Sequence, residues 1–196
     1  MAFDQQPEVS DERLLALYAS GNRAAARDLT LRLAPRVLRY ATRLLGDRAE
    51  AEDVVQEAML RLWKVAADWR PGEAQVSTWL YRVTANLVTD RLRARMRRPA
   101  APLDEVPEMA DGALDAEAGL IAADRVAALD AALASLPDRQ RQAVILRHIE
   151  GLTNPEIADV LGVGVEAVES LTARGKRGLA AALQGQRAAL GFAEEG

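Results

Sequence analysis

Two stretches of this chain carry side chains of the kinds that meet nucleic acids. The first surrounds the loop VAADWRPGEAQV, where Trp69, Trp79 and Tyr81 precede an arginine series, Arg91, Arg93, Arg95, Arg97 and Arg98. Aromatic faces can stack on unpaired bases while guanidinium groups follow phosphates. The second is NPEIADVLGVGVEAVESL, followed by Arg174, Lys176 and Arg177. It has the spacing of a helix-turn-helix. Ile157 and Leu161 lie on one face of a first helix, and Ala158 is small where two helices would cross. Gly162 permits the tight turn, Val163 fills the gap, and Val168 and Leu171 return a second helix to the core. The cations suit phosphate contacts, and they also suit a solvated helix end. Glu166 and Glu169 raise a question, because they place carboxylates near the start of the helix that would face a polyanion.

Composition excludes other chemistry. Cys is absent and His148 is the only histidine, so neither a thiolate site nor a multi-histidine metal site is available. No nucleophile–base set or phosphate loop appears, so no enzyme activity, cofactor, metal or small-molecule substrate is expected. His148 receives no role. The formal net charge is −4, from 25 Lys and Arg against 29 Asp and Glu, so any nucleic-acid contact depends on how charge is distributed. The N-terminus MAFDQQPEVSDER lacks the basic and apolar regions of a secretory signal. No apolar run reaches the ~18 residues of a membrane span. The expectation is a cytoplasmic protein.

Apolar spacing of three and four, with 4% aromatics and much Ala, Leu and Arg, predicts an all-α chain. Ser10 is placed to cap a first helix that ends at Gly21-Asn22. A second helix follows, gently broken at Pro35 and closed by Gly46. A third is capped by Asp47 with Glu50, and its stripe is Val54, Val55, Ala58, Met59, Leu62 and Trp63. VSTWLYRVTANLVTDRLRARMRR makes a fourth. Three prolines and Asp104, Glu105, Glu108, Asp111, Asp115 and Glu117 then mark a flexible acidic linker. Helical periodicity resumes near Ile121. Pro137 opens DRQRQAVILRHIEG as another helix, and Asn154-Pro155 caps the next. Two small helical domains are therefore expected, 10–97 and 121–185, joined by a linker over 98–120.

AEDVVQEAMLRLWK followed by STWLYRVTANLVTDRLR resembles region 2 of bacterial sigma factors, and LASLPDRQRQAVILRHIEGLTNPEIADVLGVGVEAVES resembles region 4. Two such regions on a short linker are similar to the extracytoplasmic-function class, over residues 10 to 185. The resemblance implies a protein that binds core RNA polymerase, directs it to promoter DNA, and is held inactive by an anti-sigma factor. It assigns Asp53, Gln56 and Glu57 to the polymerase. Asp53, Glu57 and Arg61 share one face, which would otherwise be a solvated surface with a Glu57–Arg61 pair. It assigns −10 recognition to the Trp69 loop and Asn86, whose amide offers both donor and acceptor to a base edge, with Arg91, Arg93 and Arg95 on the backbone. Trp79 is equally suited to the core. It assigns −35 recognition to Val165, Glu166, Glu169, Ser170, Arg174, Lys176 and Arg177.

Two features stay open in the sequence. Similar chains carry basic residues where this one has Glu169 and Leu171. A glutamate can accept a hydrogen bond from cytosine N4; alternatively Glu166 complements the helix N-terminus and Glu169 faces solvent. The acidic linker would serve either as a nucleic-acid mimic in a polymerase channel or as a solubilising tether. Rival functions are a sigma-like decoy for an anti-sigma factor, for which an attached sensor domain would be expected, and a plain helix-turn-helix repressor. The repressor leaves the first domain unexplained.

Overall fold

The computed structural model describes residues 9–70, 72, 74–97 and 116–184, and every regular element among them is helical. The acidic stretch expected as a linker falls, over 98–115, outside the described residues. Four helices precede it: α1 (Asp11–Ala19), α2 (Arg23–Leu45), α3 (Arg48–Val65) and α4 (Val76–Arg97). Four follow: α5 (Ala116–Ala134), α6 (Asp138–Val144), α7 (Asn154–Leu161) and α8 (Val165–Gln184).

Local chemistry starts and stops these helices. The Ser10 hydroxyl accepts from Arg13 N at 3.3 Å, Asn22 Oδ1 accepts from Ala24 N and Ala25 N, and Asp47 Oδ1 accepts from Glu50 N at 3.0 Å. Gly46, at φ +66°, closes α2 and donates to Thr42 O. The expected break at Pro35 does not occur, and α2 runs through it. The carbonyl that loses its donor is that of Leu31, a residue 64% exposed, so water can serve it. Leu33 and Val37, on either side of the proline, are buried and hold the helix to the core.

Three boundaries in the second half differ from the sequence expectation. The helix expected from Ile121 begins at Ala116. The helix expected over 138–150 is α6 followed by a wide turn, Ile145–Ile149, in which Glu150 N donates to Ile145 O at 3.0 Å. One extra residue in a turn rotates the succeeding residues by about 100°, and Glu150 ends buried at 7% exposure. Finally, Thr153 rather than Asn154 caps α7. Its hydroxyl accepts from Glu156 N while Glu156 Oε2 accepts from Thr153 N at 2.7 Å. The reciprocal box requires Ser or Thr three residues before Glu, and only Thr153 stands there.

The helix-turn-helix forms as its spacing predicts. Gly162 adopts φ +63°, and Val163 N donates to Ala158 O at 3.1 Å. Ile157, Ala158, Leu161 and Val168 are buried, with Val163 and Leu171 packed partly against the same core. In α1–α4 the core takes Leu15, Leu29, Leu33, Tyr40, Leu44, Val54, Leu62, Leu80 and Tyr81. The expected α3 stripe is buried except for Trp63, which is half-buried against Tyr18 with ring centroids 4.7 Å apart.

The two halves pack on each other. α4 lies along α7, and α2 meets α5 and α6. Tyr81 donates to Glu150 Oε2 at 2.6 Å, and Tyr40 stands edge-on to Tyr81 at 5.6 Å. Burial, then the bond to Glu150, raises the Tyr81 phenol above its ordinary range; burial does the same to Tyr40. Both rings therefore remain protonated near neutral pH. Arg141 donates to the carbonyls of Arg43 and Leu44, and Arg43 Nε pairs with Asp130 at 3.2 Å.

Two glycines lie where α8 packs on its neighbours, and Gly175 fixes how closely it approaches α6. A Cβ on Gly175 would lie 2.5 Å from Val144 Cγ2 and 3.0 Å from the Gln140 carbonyl oxygen. A Cβ on Gly178 would meet only Leu136 Cδ2, at 2.7 Å. Val144 is stiff at χ1 and a backbone carbonyl cannot turn aside, whereas a leucine tip can. Gly175→Ala is therefore expected to destabilise by about 1–3 kcal/mol despite its better helix propensity. Gly178→Ala should be close to neutral. Thermal melts of the two variants check this, and equal losses would reject the close-approach account.

Candidate nucleic-acid interface

Each helix that buries one stripe leaves another to solvent, and three such stripes carry the residues singled out by the sequence. On α3, the inward set Val54, Val55, Ala58 and Leu62 turns Asp53 and Gln56 outward and leaves Glu57 half-exposed. Glu57 accepts from Arg61 at 2.5 Å, one turn on. Sequence reasoning missed Leu60, which is 53% exposed and lies one turn beyond Gln56. Its signal was present, since it is an apolar residue out of phase with the buried stripe. The patch is thus a polar surface with an exposed apolar residue at its C-terminal edge, and exposed apolar groups among polar ones are what protein partners cover.

On α4 the expected residues divide. Asn86 is exposed, and Arg93 and Arg97 share its face at helical spacing. Arg82, one turn before Asn86 on that face, was also missed. It is exposed, and no hydrogen bond or ion pair to it is formed among the described residues. Arg93 lies 3.9 Å from Asp90, one turn back. Arg91 and Arg95 face elsewhere: Arg91 is 3.8 Å from Glu50, and Arg95 pairs with Glu50 and donates to Leu45 O at 2.7 Å. These two arginines tie α4 to the start of α3 and the end of α2. The expected role on a DNA backbone therefore competes with an internal one.

Trp69 is half-buried rather than displayed. Its ring stands edge-on to Trp79 at 5.9 Å, both pack on the core, and its indole Nε1 is buried without an acceptor. Packed on the core beside Trp79, the ring is less open to a base than the sequence suggested.

On α8 the exposed face runs from Val165 and Glu166 through Glu169 and Ser170 to Lys176 and Arg177. Val168 holds the opposite side in the core. Arg174 folds back on this face, donating to Ser170 Oγ at 2.8 Å and Ser170 O at 3.2 Å. Glu166 sits in the first turn, where a carboxylate complements the helix dipole. Glu169 forms no hydrogen bond or ion pair among the described residues. Its carboxylate is free to meet a partner. The same described residues contain no group of three or more His, Cys, Asp and Glu able to hold a metal ion.

Both halves of the chain match known proteins. Residues 16–98 match the family model for Sigma-70 region 2, and residues 127–179 match that for Sigma-70, region 4. The ECF RNA polymerase sigma factor SigM of Mycobacterium tuberculosis is 34% identical over 180 residues, covering 92% of this chain and 88% of its own. The ECF RNA polymerase sigma factor SigW of Bacillus subtilis is 30% identical over 183 residues, covering 88% and 96%. A solved structure of CnrH in complex with the cytosolic domain of CnrY aligns with a TM-score of 0.67 at 28% identity, covering 89% of this chain and 97% of that one.

The division among the α4 arginines has a measurable consequence. Arg95→Ala leaves the Leu45 carbonyl and the Glu50 carboxylate without their donor, and should cost up to about 1 kcal/mol of thermal stability. Arg93→Ala removes only a long surface pair and should cost nothing measurable. A larger loss for Arg93 than for Arg95 in thermal melts would overturn these assignments.

Proposed function

The chain belongs to the sigma-70 family, among the extracytoplasmic-function sigma factors that bind core RNA polymerase and direct promoter-specific initiation, and from that premise we propose how its surfaces divide the work. The α3 patch of Asp53, Gln56 and Glu57, with Leu60 at its C-terminal edge, docks on the polymerase. The α4 face with Asn86 reads the −10 element, with Arg82, Arg93 and Arg97 along the phosphates and the Trp69 loop beside it. The α8 face from Val165 to Arg177 reads the −35 element. The functional domains are 10–97 and 121–185, with the acidic segment 98–120 between them. The protein catalyses no reaction itself and works in the cytoplasm; no helix among the described residues is long and apolar enough to cross a membrane. Since CnrH was solved with the cytosolic domain of CnrY, an anti-sigma factor is the proposed regulator of this chain too.

The observation that carries this reading is the joint exposure of three differently built faces in one chain. The α3 face is acidic with an apolar edge at Leu60, α4 presents an amide among arginines, and α8 mixes glutamates with a basic end. A plain repressor needs only the last. In the −35 face, Glu166 acts on the helix dipole and Glu169 is the base-facing carboxylate.

Run-off transcription with core polymerase and genomic promoter fragments tests the whole. Promoter-dependent transcripts are expected, and their absence together with absence of core binding rejects the reading. Asp53→Lys with Glu57→Lys should weaken core binding at least about tenfold while leaving the circular dichroism spectrum unchanged. Leu60→Ser should weaken it in the same direction. Wild-type affinity in both would remove α3 from the interface. For Glu169→Ala, a changed preference at one −35 base across a promoter panel supports readout. A uniform gain in binding would reduce Glu169 to a charge effect.

A further inference from the structure

Met96 is 73% exposed, more than any other large apolar side chain among the described residues. Its register on α4 is that of a core residue. Val88 is buried, Leu92 packs partly against the core, and Met96 follows at the same spacing of four, so it carries an inward stripe on into solvent. The turn that bears it is anchored. Its neighbour Arg95 donates to Leu45 O at 2.7 Å and pairs with Glu50. Met96 is thus presented on a helix end whose direction is fixed.

A single exposed apolar residue needs no explanation by itself; its neighbours supply one. At about 100° per residue, Met96 lies roughly 60° round the helix from Arg93, bordering the face that carries Arg82, Asn86 and Arg97. Arg82 and Arg97 form no hydrogen bond or ion pair among the described residues, and Arg93 has Asp90 only at 3.9 Å. A face with three arginines and so little internal neutralisation complements a polyanion. Proteins that kink a duplex join the same two features: cations and amides hold the groove, and an apolar side chain, methionine among them, enters between base steps. The unbranched, polarizable methionine chain adapts to such a gap. Ten residues separate Met96 from Asn86, a rise of about 15 Å, or roughly four base pairs at about 3.4 Å each. Met96 therefore stands at the edge of the element that Asn86 reads, not within it.

We propose that Met96 is a wedge that enters the base stack where the promoter duplex meets the −10 element, with Arg93 and Arg97 on the flanking phosphates, and so promotes strand separation at that point. Its partner is double-stranded DNA at the step where pairing is first lost. Pyrimidine–purine steps such as TA and CA are the easiest to unstack, so the wedge favours promoters that carry one there. The proposal rests on the reading of α4 as the −10 face and adds to it a residue that acts on the stack and not on a base edge.

The test uses the full chain with core polymerase on a genomic promoter fragment, and follows strand opening by the permanganate reactivity of unpaired thymines. Because Met96 is exposed, Met96→Ala and Met96→Leu should melt at the wild-type temperature. On the duplex fragment Met96→Ala is expected to slow opening several-fold, and Met96→Leu, which keeps an apolar wedge, to restore it. On the same fragment with a mismatched, already open −10 segment, Met96→Ala should equal the wild type. An equal loss on both templates overturns the wedge and makes Met96 a contact with polymerase or with the separated strand. Wild-type opening of the duplex by Met96→Ala overturns it too, as does a Met96→Leu protein no faster than Met96→Ala. A wild-type chain that neither binds core polymerase nor opens any promoter fragment would instead reject the sigma-factor reading, and the wedge with it.

Discussion

The last carbonyls of α2 are where this structure is tied together. A helix end leaves its final carbonyls without intrahelical donors, and here Arg43, Leu44 and Leu45 are served by side chains from two other helices. Arg95 of α4 reaches Leu45, and Arg141 of α6 reaches Arg43 and Leu44. The first bond sets where the C-terminal half of α4 runs, and so the direction in which Asn86 and its neighbouring arginines face. The second draws the helix-turn-helix half against the first. One helix terminus thus supports both the orientation of a proposed reading helix and the relative placement of the two halves.

Around that anchor, helical periodicity does most of the sorting. α3 and α8 are amphipathic, and burying one stripe commits the other to solvent. The faces assigned to polymerase and DNA are what the core leaves over. This explains why their residues are mixed in charge: burial constrains only the inward side. It also explains the position of Gly175, where α8 must come close enough to α6 for a methyl group to collide with Val144. The approach holds the outer face of α8 in a fixed direction.

The proposed reading surfaces were unevenly legible. Asp53, Gln56, Glu57, Asn86 and the α8 face were singled out by the resemblance to sigma factors, and spacing supplied only their outward phase, because outward phase on an amphipathic helix follows from the inward one. Arg91 and Arg95 could not be separated from Arg93 in the same way. Whether an arginine faces a phosphate or a glutamate depends on Glu50, more than 40 positions away in the chain. Trp69 was expected beside the bases, and its half-burial could not be read from spacing, since its partner Trp79 comes from the far side of a loop. Leu60 and Arg82 were visible in the sequence, the first as an apolar residue out of phase, but their significance depends on exposure.

What the sequence by itself determined was local. Caps at Ser10, Asn22 and Asp47, the Thr153–Glu156 box, the glycine turn at Gly162 and the apolar stripes specify helices and a helix-turn-helix, because each depends on groups within about four residues of one another. The tertiary structure decided the rest. It carried α2 through Pro35, turned Glu150 inward through a widened turn, set Tyr81 against it, and divided the α4 arginines between internal ties and an open face. Those outcomes depend on which buried or half-buried polar groups meet across long separations in the chain, and helical spacing carries no information about that.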